Sequence, residues 1–257
     1  MKVSIRNGFK KLTEEYPMIH LEHVCVAYNK TFKALEDITF GIDRGEAVGL
    51  IGANGAGKTT LMSVIMGLVD FEGSITVDDI PLQKKNFDAI RRKIGIVIQN
   101  SDNQMFMPTV YEDIVFGPLN YGVSREEAEK KADEILNDLG ISDLKYRHNH
   151  RLSGGEKRMA AIATVLAMNP ETVLMDEPSS ALDPYNRRLI INTINSLSVT
   201  KLIASHDLDL ILDTCNRVIL LSKGRIVADG AADSILKDRE LLEANRMELP
   251  LRYSQNS

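Results

Sequence analysis

The chain carries, between two apolar runs, the residues Gly52-Ala53-Asn54-Gly55-Ala56-Gly57-Lys58-Thr59-Thr60. They fit the phosphate-binding loop pattern G-x4-G-K-[ST] at every specified position. The apolar run at 47–51 predicts a buried strand before this loop, and the run at 61–66, which ends at Gly67, predicts a helix after it. Because the pattern requires a strand, a loop and a helix in this order, the setting favours a functional phosphate loop over a glycine-rich turn without a ligand.

The glycines of this loop indicate how it would hold phosphate. Gly52, Gly55 and Gly57 allow successive backbone N–H groups to point at one anion, at a helix N-terminus whose dipole also favours negative charge. In this pattern Lys58 reaches the β- and γ-phosphates, and the hydroxyl of Thr59 binds Mg²⁺.

The composition is that of a soluble protein with room for one α/β domain and an appended subdomain: 257 residues, 44% apolar and 26% charged. The net charge of −5 gives neither a basic footprint for nucleic acid nor a polybasic membrane anchor. Residues 1–17 lack the apolar core of a secretion signal, and no apolar run is long enough to span a bilayer. We therefore expect a cytosolic protein, with Cys25 and Cys215 as small buried apolar residues rather than a disulfide or a metal pair.

The other apolar runs predict further strands of an α/β fold. They predict antiparallel strands at 19–28 and 35–42 with a turn near 29–33, a short strand at 74–77, buried strands at 93–98, 171–175 and 201–205, and a hairpin at 217–228 followed by an amphipathic helical tail from about 231. Tyr28 ends the first of these strands. Its ring could stack on an adenine, or it is an ordinary tyrosine of an edge strand.

Polar side chains follow three of the predicted buried strands. Gln99 follows the first, Asp176 and Glu177 the second, and His206 the third. Ligands of open α/β sheets bind at the carboxyl ends of the strands, so these residues are candidates for one site. Asp176 would order Mg²⁺ and Glu177 would polarise the attacking water. Gln99 would touch Mg²⁺ or that water, or is a polar loop residue; His206 would contact a γ-phosphate oxygen, or is an ordinary histidine.

Residues from about 100 to 168 have a helical pattern. A capping box at 124–127 opens one helix, which ends at Gly140. A second helix opens at 152–156, where Ser153 and Glu156 have the same spacing. Ser153 is either a simple N-cap or part of a second anion site. Farther on, the pair Asp183-Pro184 marks another helix start.

Taken in order, these motifs closely resemble those of the ATP-binding subunit of ABC transporters over about residues 19–249. The matching elements are the phosphate loop at 52–60, the Q-loop Gln99, the signature at 152–156, the Walker B end Asp176-Glu177, the D-loop at 180–183 and the switch His206. The resemblance implies an α/β fold: a P-loop NTPase core, RecA-like with a mixed sheet and helices on both faces, plus an antiparallel β subdomain and an α-helical subdomain. It divides the chain into a polar extension (1–17), the ATP-binding domain (18–249, with its helical subdomain at about 100–168) and a tail (250–257).

The resemblance also implies an ATPase with ATP and Mg²⁺ as cofactors. Two ATPase subunits would form a head-to-tail dimer with ATP at the interface, which closes on binding and reopens on hydrolysis. The second subunit is either a different chain or, as the simpler expectation, another copy of this one. The implied catalytic residues are Glu177, His206, Gln99 and Lys58, and the implied ligands of Mg²⁺ are Thr59, Gln99 and Asp176. The implied nucleotide contacts are Tyr28, Gly52, Asn54, Gly55, Gly57, Lys58, Thr59 and Thr60 in one copy, with Ser153 and Gly155 acting from the other and Asp183 coupling the two sites.

A narrower resemblance lies after Gln99, where residues 100–120 look like the ATPases of energy-coupling-factor importers. The runs at 108–113 and 248–251 are most similar to the cobalt/nickel branch of that class. The resemblance implies two partners, an integral-membrane coupling subunit and a substrate-binding membrane subunit, and a place at the cytoplasmic face of the cell membrane. Three side chains at 105–107 would contact the coupling subunit, or belong to the core.

Two alternatives remain open from sequence. A vitamin importer of the same class would have the same motifs, because substrate selectivity resides in the membrane subunits. A non-transport ABC ATPase acting on nucleic acid is disfavoured by the acidic balance and by the lack of sustained heptads. The chain departs from the family pattern in having Glu156 where Gln is usual and Ser179 where Thr is commoner. His148 and His150, in a predicted loop, do not by their spacing indicate a metal site.

Overall fold

The computed structural model describes residues 17–28 and 33–254. The polar extension predicted at 1–17 and the turn predicted near 29–33 lie outside the described residues, except for Pro17 and Lys33. Among the helices described, none combines the length and apolar character needed to cross a membrane.

Ten strands form two sheets in the described residues. They are β1 (Ile19–Ala27), β2 (Lys33–Ile42), β3 (Ala47–Ile51), β4 (Glu72–Val77), β5 (Ile80–Pro81), β6 (Ile94–Val97), β7 (Thr172–Asp176), β8 (Thr200–Ala204), β9 (Arg217–Ser222) and β10 (Arg225–Ala231). The smaller sheet has the order β2-β1-β4-β5 and is antiparallel. The larger has the order β10-β9-β3-β8-β7-β6 and is parallel except for the β9–β10 hairpin.

The helices connect and cover these strands. They are α1 (Lys58–Ile65), α2 (Phe87–Lys93), α3 (Val110–Asn120), α4 (Arg125–Asp138), α5 (Gly154–Leu166), α6 (Pro184–Ser196), α7 (Leu208–Thr214), α8 (Ala232–Lys237), α9 (Arg239–Ala244) and α10 (Leu251–Ser254), with 3-10 turns at Lys84–Asn86, Ser101–Asn103, Ser142–Leu144 and Asn149–Arg151. The predicted helical tail is thus three short helices. It is interrupted at Asp238, which leaves the helical conformation and caps α9 by accepting from Leu241 N at 2.9 Å.

Two apolar cores lie on opposite faces of the larger sheet. In β7, Val173 and Met175 belong to the core that contains the helices of the region 110–166, whereas Leu174 belongs to the core beneath α1 and the smaller sheet. This alternation follows from the pleat, and both faces are apolar because both are covered. The predicted α/β fold, with an antiparallel β subdomain and an α-helical subdomain, is confirmed.

The helix starts of the α-helical region agree in part with the predicted capping. At α5 both halves of the box form: Ser153 Oγ accepts from Glu156 N at 3.3 Å, and Glu156 Oε2 accepts from Ser153 N at 2.8 Å. At α4 only one half forms, with Ser124 Oγ accepting from Glu127 N at 3.2 Å. A third box at Thr109, which opens α3, was not predicted.

Candidate functional site

The phosphate loop joins β3 to α1, and its first glycine has no room for a side chain. Gly52 has a φ of +150°, and a Cβ placed on it would lie 2.2 Å from the carbonyl oxygen of Leu221 in β9. The loop therefore needs glycine there in order to pass beneath the hairpin strand. Gly57, also at positive φ, is the N-cap of α1.

A cleft of about 540 Å³ lies at the N-terminus of α1, where β7 and its neighbours end. Ten residues predicted for the site line it: Asn54, Gly55, Gly57, Lys58, Thr59, Thr60, Gln99, Asp176, Glu177 and His206. Register explains this convergence, because Asp176 at the end of β7 pairs with Ala204 at the end of β8, two residues before His206. The strands are parallel, so their carboxyl ends lie at one edge.

The cleft also contains residues that sequence reasoning missed. Lys33 and Ala34 at the start of β2, and Lys223 and Gly224 in the turn between β9 and β10, line its side. The hairpin itself was predicted, and its tight turn is visible as Lys-Gly in the sequence. The position of that turn beside the phosphate loop depends on packing between distant segments.

Lys58, Thr59 and Asp176 form a connected polar group at the base of the cleft. Lys58 Nζ donates to Gly52 O at 2.7 Å, and Thr59 Oγ1 donates to Asp176 Oδ2 at 2.8 Å. Burial lowers the pKa of Lys58, although Glu177 and Asp176 oppose that shift. Burial also raises the pKa of Asp176, against the hydrogen bond from Thr59. The group therefore places a lysine and a carboxylate in a poorly solvated position beside the loop amides.

Glu177 has an unusual backbone and a fixed side chain. Its φ is +49°, in the left-handed region that costs energy for any residue with a Cβ. Its N–H donates to Ala204 O at 2.8 Å, and its carboxylate accepts from Ser205 Oγ at 3.0 Å and from His206 N at 3.1 Å. The Nδ1 atom of His206 lies 2.8 Å from the same carboxylate. Contacts from the end of β8 therefore fix both the backbone and the carboxylate of Glu177.

A buried arginine holds the backbone that precedes and includes Gln99. Arg158 in α5 is only 4% exposed; its Nη1 donates to Ile98 O at 2.7 Å, and its Nη2 donates to Gln99 O. The sequence contained one signal for this contact, since Arg158 is a charged residue among the apolar positions of α5. Its partners could not be identified without the packing of α5 against the end of β6.

The remaining predicted site residues lie outside the cleft. Tyr28 is at its edge, with its hydroxyl 3.2 Å from Thr60 Oγ1, and 57% of the residue is exposed. Gly52 lines a neighbouring cavity of about 470 Å³ together with residues 246–251. Ser153, Gly155 and Asp183 do not line either cavity. Ser153 is exposed and engaged in its own capping box.

The apolar side chains at 105–107 do not behave as one group. Met105 is buried, Met107 is half-buried, and Phe106 is 64% exposed and packs edge-on against Phe116 with ring centroids 4.9 Å apart. Asp113 holds their backbone by accepting from Phe106 N at 3.2 Å and Met107 N at 3.1 Å. Met105 therefore belongs to the core, which is one of the two predicted alternatives, and Phe106 is exposed; contact with a coupling subunit stays a prediction.

The cysteines and the histidine pair take no part in the cleft. Cys215 is buried as predicted, but Cys25 is only half-buried, and both are free thiols. The rings of His148 and His150 have centroids 5.4 Å apart. Among residues 17–28 and 33–254, no three His, Cys, Asp or Glu side chains group in a way that could hold a metal ion.

Comparison with known proteins gives consistent matches. The family model described as ABC transporter matches residues 35–180. The energy-coupling factor transporter ATP-binding protein EcfA of Methanothermobacter thermautotrophicus is 40% identical over 239 residues, covering 91% of this chain and 77% of the relative. The structure of cbiO1 from Clostridium perfringens, part of the ABC transporter complex cbiONQ, is 33% identical with a TM-score of 0.79 over 90% of this chain and 94% of that one. MJ1267, an ATP-binding cassette of an ABC transporter, is 28% identical with a TM-score of 0.79 over 88% and 98%.

Proposed function

The chain belongs to the ATP-binding subunits of ABC transporters, and from this premise we propose that it powers an energy-coupling-factor importer for cobalt or nickel ions. The observation that carries the proposal is the cleft in which Lys58, Asp176 and Glu177 converge; elsewhere the chain exposes an aromatic pair suited to a partner. The choice of ion is supported by the residues at 108–113 and 248–251, which resemble the cobalt/nickel branch. The similarity to EcfA and to cbiO1 supports the transporter class.

Within the cleft, we assign the phosphates of ATP to the loop amides and to Lys58. The Nζ atom of Lys58 already bonds to a carbonyl of the same loop, so a small rotation brings it to a phosphate on the loop. Thr60 and Tyr28 lie at the rim, where an adenine ring would stack on the exposed face of Tyr28. Asn54 and His206 also line the cleft, and we assign them to the γ-phosphate.

The donor set fits a magnesium ion. Thr59 Oγ1 and Asp176 Oδ2 are 2.8 Å apart, and Gln99 lines the same cleft, so the available ligands are oxygens of the kind that Mg²⁺ prefers. When bound, the ion would neutralise charge on the β- and γ-phosphates. Thr59, Gln99 and Asp176 are the residues that would hold it.

Glu177 is the residue we assign to the attacking water. A general base must lie within hydrogen-bond reach of the proton that it accepts, in a fixed orientation. The two bonds from Ser205 and from His206 N give the carboxylate that orientation, and the cleft opens beside it. The imidazole of His206, next to this carboxylate, would contact the γ-phosphate.

Ser153, Gly155 and Asp183 lie outside the cleft of their own chain, and we assign them to the cleft of a second copy. The start of α5 presents an exposed hydroxyl and backbone N–H groups at a helix N-terminus, which suits a phosphate. In a head-to-tail dimer this end would close over ATP held by the phosphate loop of the other copy. Closure on ATP and reopening after hydrolysis would then move the membrane subunits.

The membrane coupling subunit would dock on the aromatic pair Phe106 and Phe116. Both rings are exposed beyond a third of their surface, and the loop that carries Phe106 is held in place by Asp113. Adjacent exposed apolar side chains are one mark of an interaction site, which supports docking at this pair. Docking there would place the chain at the cytoplasmic face of the cell membrane through its partners.

The experiment that tests this proposal measures total cellular cobalt and nickel at limiting external metal. The native organism would carry the chromosomal change Glu177→Gln, with Glu126→Gln on the exposed face of α4 as the matched control. We expect a fall in one metal in the first strain, restored by the unchanged gene, and none in the control.

Two results would contradict the choice of ion. Unchanged metals with an unchanged vitamin requirement would remove the metal importer from consideration. Unchanged metals with a new vitamin requirement would assign the chain to a vitamin importer of the same class.

A further inference from the structure

The first turn of α6 contacts three separate motif regions of the chain. Its N-cap is Asp183, which accepts from Asn186 N at 2.9 Å and from Asn186 Nδ2 at 2.6 Å. The amide group of Asn186 lies against the signature, since a Cβ placed on Gly155 would be 2.2 Å from it. The next residue, Arg187, bonds to Asp207, which directly follows His206. One helical turn thus touches the D-loop, the signature helix and the switch segment.

The bond between Arg187 and Asp207 is a two-point, partly buried ion pair. Arg187 Nε donates to Asp207 Oδ2 at 2.6 Å and Nη2 donates to Oδ1 at 2.9 Å, and the two side chains are 30% and 23% exposed. Asp207 also caps α7 by accepting from Leu210 N at 2.9 Å. A planar guanidinium fixes both position and orientation of a carboxylate in such a pair, which a single-point contact does not.

From Asp207 the hydrogen bonds continue to Glu177. Asp207 N donates to Ser205 Oγ at 3.0 Å, and Ser205 Oγ donates to Glu177 Oε2 at 3.0 Å. Ser205 is fully buried, so no solvent competes for its hydroxyl, whose one proton is directed to Glu177. Because the backbone of Glu177 is in the left-handed region, its carboxylate depends on such external contacts for its position.

We propose that Arg187 is a positioning residue for ATP hydrolysis, which fixes Asp207 and, through Ser205, orients the carboxylate of Glu177. The proposal rests on the role that we assign to Glu177. It makes the first turn of α6 the element through which the signature and D-loop regions act on the general base. Arg187 itself does not line the cleft, so it acts on hydrolysis and not on ATP binding.

The test compares three variants of the full chain. Arg187→Gln removes the charged fork, Arg187→Lys retains charge and one donor group, and Arg188→Gln makes the same change at the exposed neighbouring position. We expect Arg187→Gln to lower kcat for ATP by about tenfold or more, as misplacement of a catalytic group does, with KM and ATP affinity within about twofold. Arg187→Lys, which offers a single-point contact, should recover only part of kcat, and Arg188→Gln should leave kcat unchanged.

A double variant separates positioning from a general loss of structure. If Arg187 acts through Glu177, adding Arg187→Gln to Glu177→Gln should cause no further loss of turnover, whereas a general structural effect would add to it. Additive losses, a change confined to KM, or normal kcat in Arg187→Gln would overturn the inference. Should Arg187→Gln not fold, Ser205→Ala breaks the same path at its buried hydroxyl and must give the same fall in kcat.

Failure of the inference and failure of the proposed role of Glu177 give different results. If Glu177→Gln alone hydrolyses ATP at the normal rate, the assignment of the base is wrong. If Glu177→Gln is slow but both Arg187→Gln and Ser205→Ala are normal, only the inference is wrong.

Discussion

The nucleotide cleft and the start of α5 both present groups that suit phosphate, but the chain holds them in different ways. In the cleft the functional side chains bond to distant segments: Thr59 to Asp176 across 117 positions, and Ser205 to Glu177 across 28. At the start of α5, Ser153 and Glu156 bond to one another, three positions apart, and Glu156 also accepts from Arg147, nine positions away. The cleft is therefore organised by the tertiary fold, whereas the helix start is organised locally.

This difference indicates which half of the site needs a partner. A cleft assembled from β7, β8 and the phosphate loop has its geometry fixed before any second copy arrives. The self-capped start of α5 is stable in solvent and remains exposed, so it can be presented to another molecule without rearrangement. In the dimer that we propose, the cleft of one copy supplies the chemistry and the start of α5 of the other copy completes the enclosure of ATP.

The largest expected effect lies in the cleft. Glu177→Gln should bind ATP yet hydrolyse it at least about a hundredfold more slowly, because the amide cannot accept the proton of the attacking water. Steady-state phosphate release and equilibrium ATP binding would be measured on the same preparation, with Glu126→Gln as the control. Near-normal turnover would show that Glu177 is not the general base.

The next effect concerns whether the helix start acts on its own chain or on another. Lys58→Ala and Ser153→Arg should each be inactive alone, since one removes the phosphate contact and the other blocks the signature. In a head-to-tail dimer, a mixture should recover up to about a quarter of normal ATPase activity, because half of the dimers are mixed and each has one intact site. A mixture that stays inactive would mean that Ser153 serves its own cleft or that no such dimer forms.

A smaller effect tests the contact between the start of α5 and the first turn of α6 within one chain. Gly155→Ala should lower the free energy of unfolding by about 1–3 kcal/mol, because its methyl group would overlap the side chain of Asn186. Gly154→Ala is the matched control, since a Cβ there meets no atom within 4 Å. Denaturant midpoints would be compared, and equal midpoints for the two variants would show that α6 and the signature are not in tight contact.

The smallest effect is a pH dependence at Asp207. Burial opposes ionisation there, but the bonds from Arg187 and Leu210 N prevail and hold the pKa of Asp207 below its ordinary value. A carboxylate with a lowered pKa in the folded state adds stability above its unfolded value of about 3.9, and this is lost as pH falls through the folded value. Asp207→Asn should therefore cost about 1–2 kcal/mol at neutral pH and progressively less below about pH 4. A cost that grows on acidification would contradict the ion pair.

The sequence predicted the position of a residue correctly wherever a local pattern combined with a general rule of topology. Apolar runs gave the central strands, and the rule that ligands lie at the carboxyl ends of parallel strands brought Gln99, Asp176, Glu177 and His206 to one place. All four of these residues line the cleft. The capping box at Ser153 was found for the same reason, since all of its partners lie within one helical turn.

The contacts that the sequence did not predict depend on packing between distant segments. Arg158 bonds to carbonyls 59 and 60 positions away, and Lys223 joins the cleft only because the β9–β10 turn packs over the phosphate loop. The polarity of these residues was visible, but their partners are set by register and helix placement. The split between buried Met105 and exposed Phe106 likewise follows from how Asp113 turns that loop.

The two hydrogen bonds from the guanidinium of Arg158 also connect the position of α5 to that of Gln99. Helix α5 is buried along most of its length, and we expect a helix packed in this way to shift as one body. Its N-terminal end carries Ser153, and Arg158, about 7.5 Å farther along the axis, grips the backbone at Ile98 and Gln99 through two points. A displacement of the α-helical region is therefore expected to reach Gln99 through these two bonds. A displacement of Gln99 is expected to reach Ser153 through the same contacts. We therefore expect Ser153 and Gln99 to change position together.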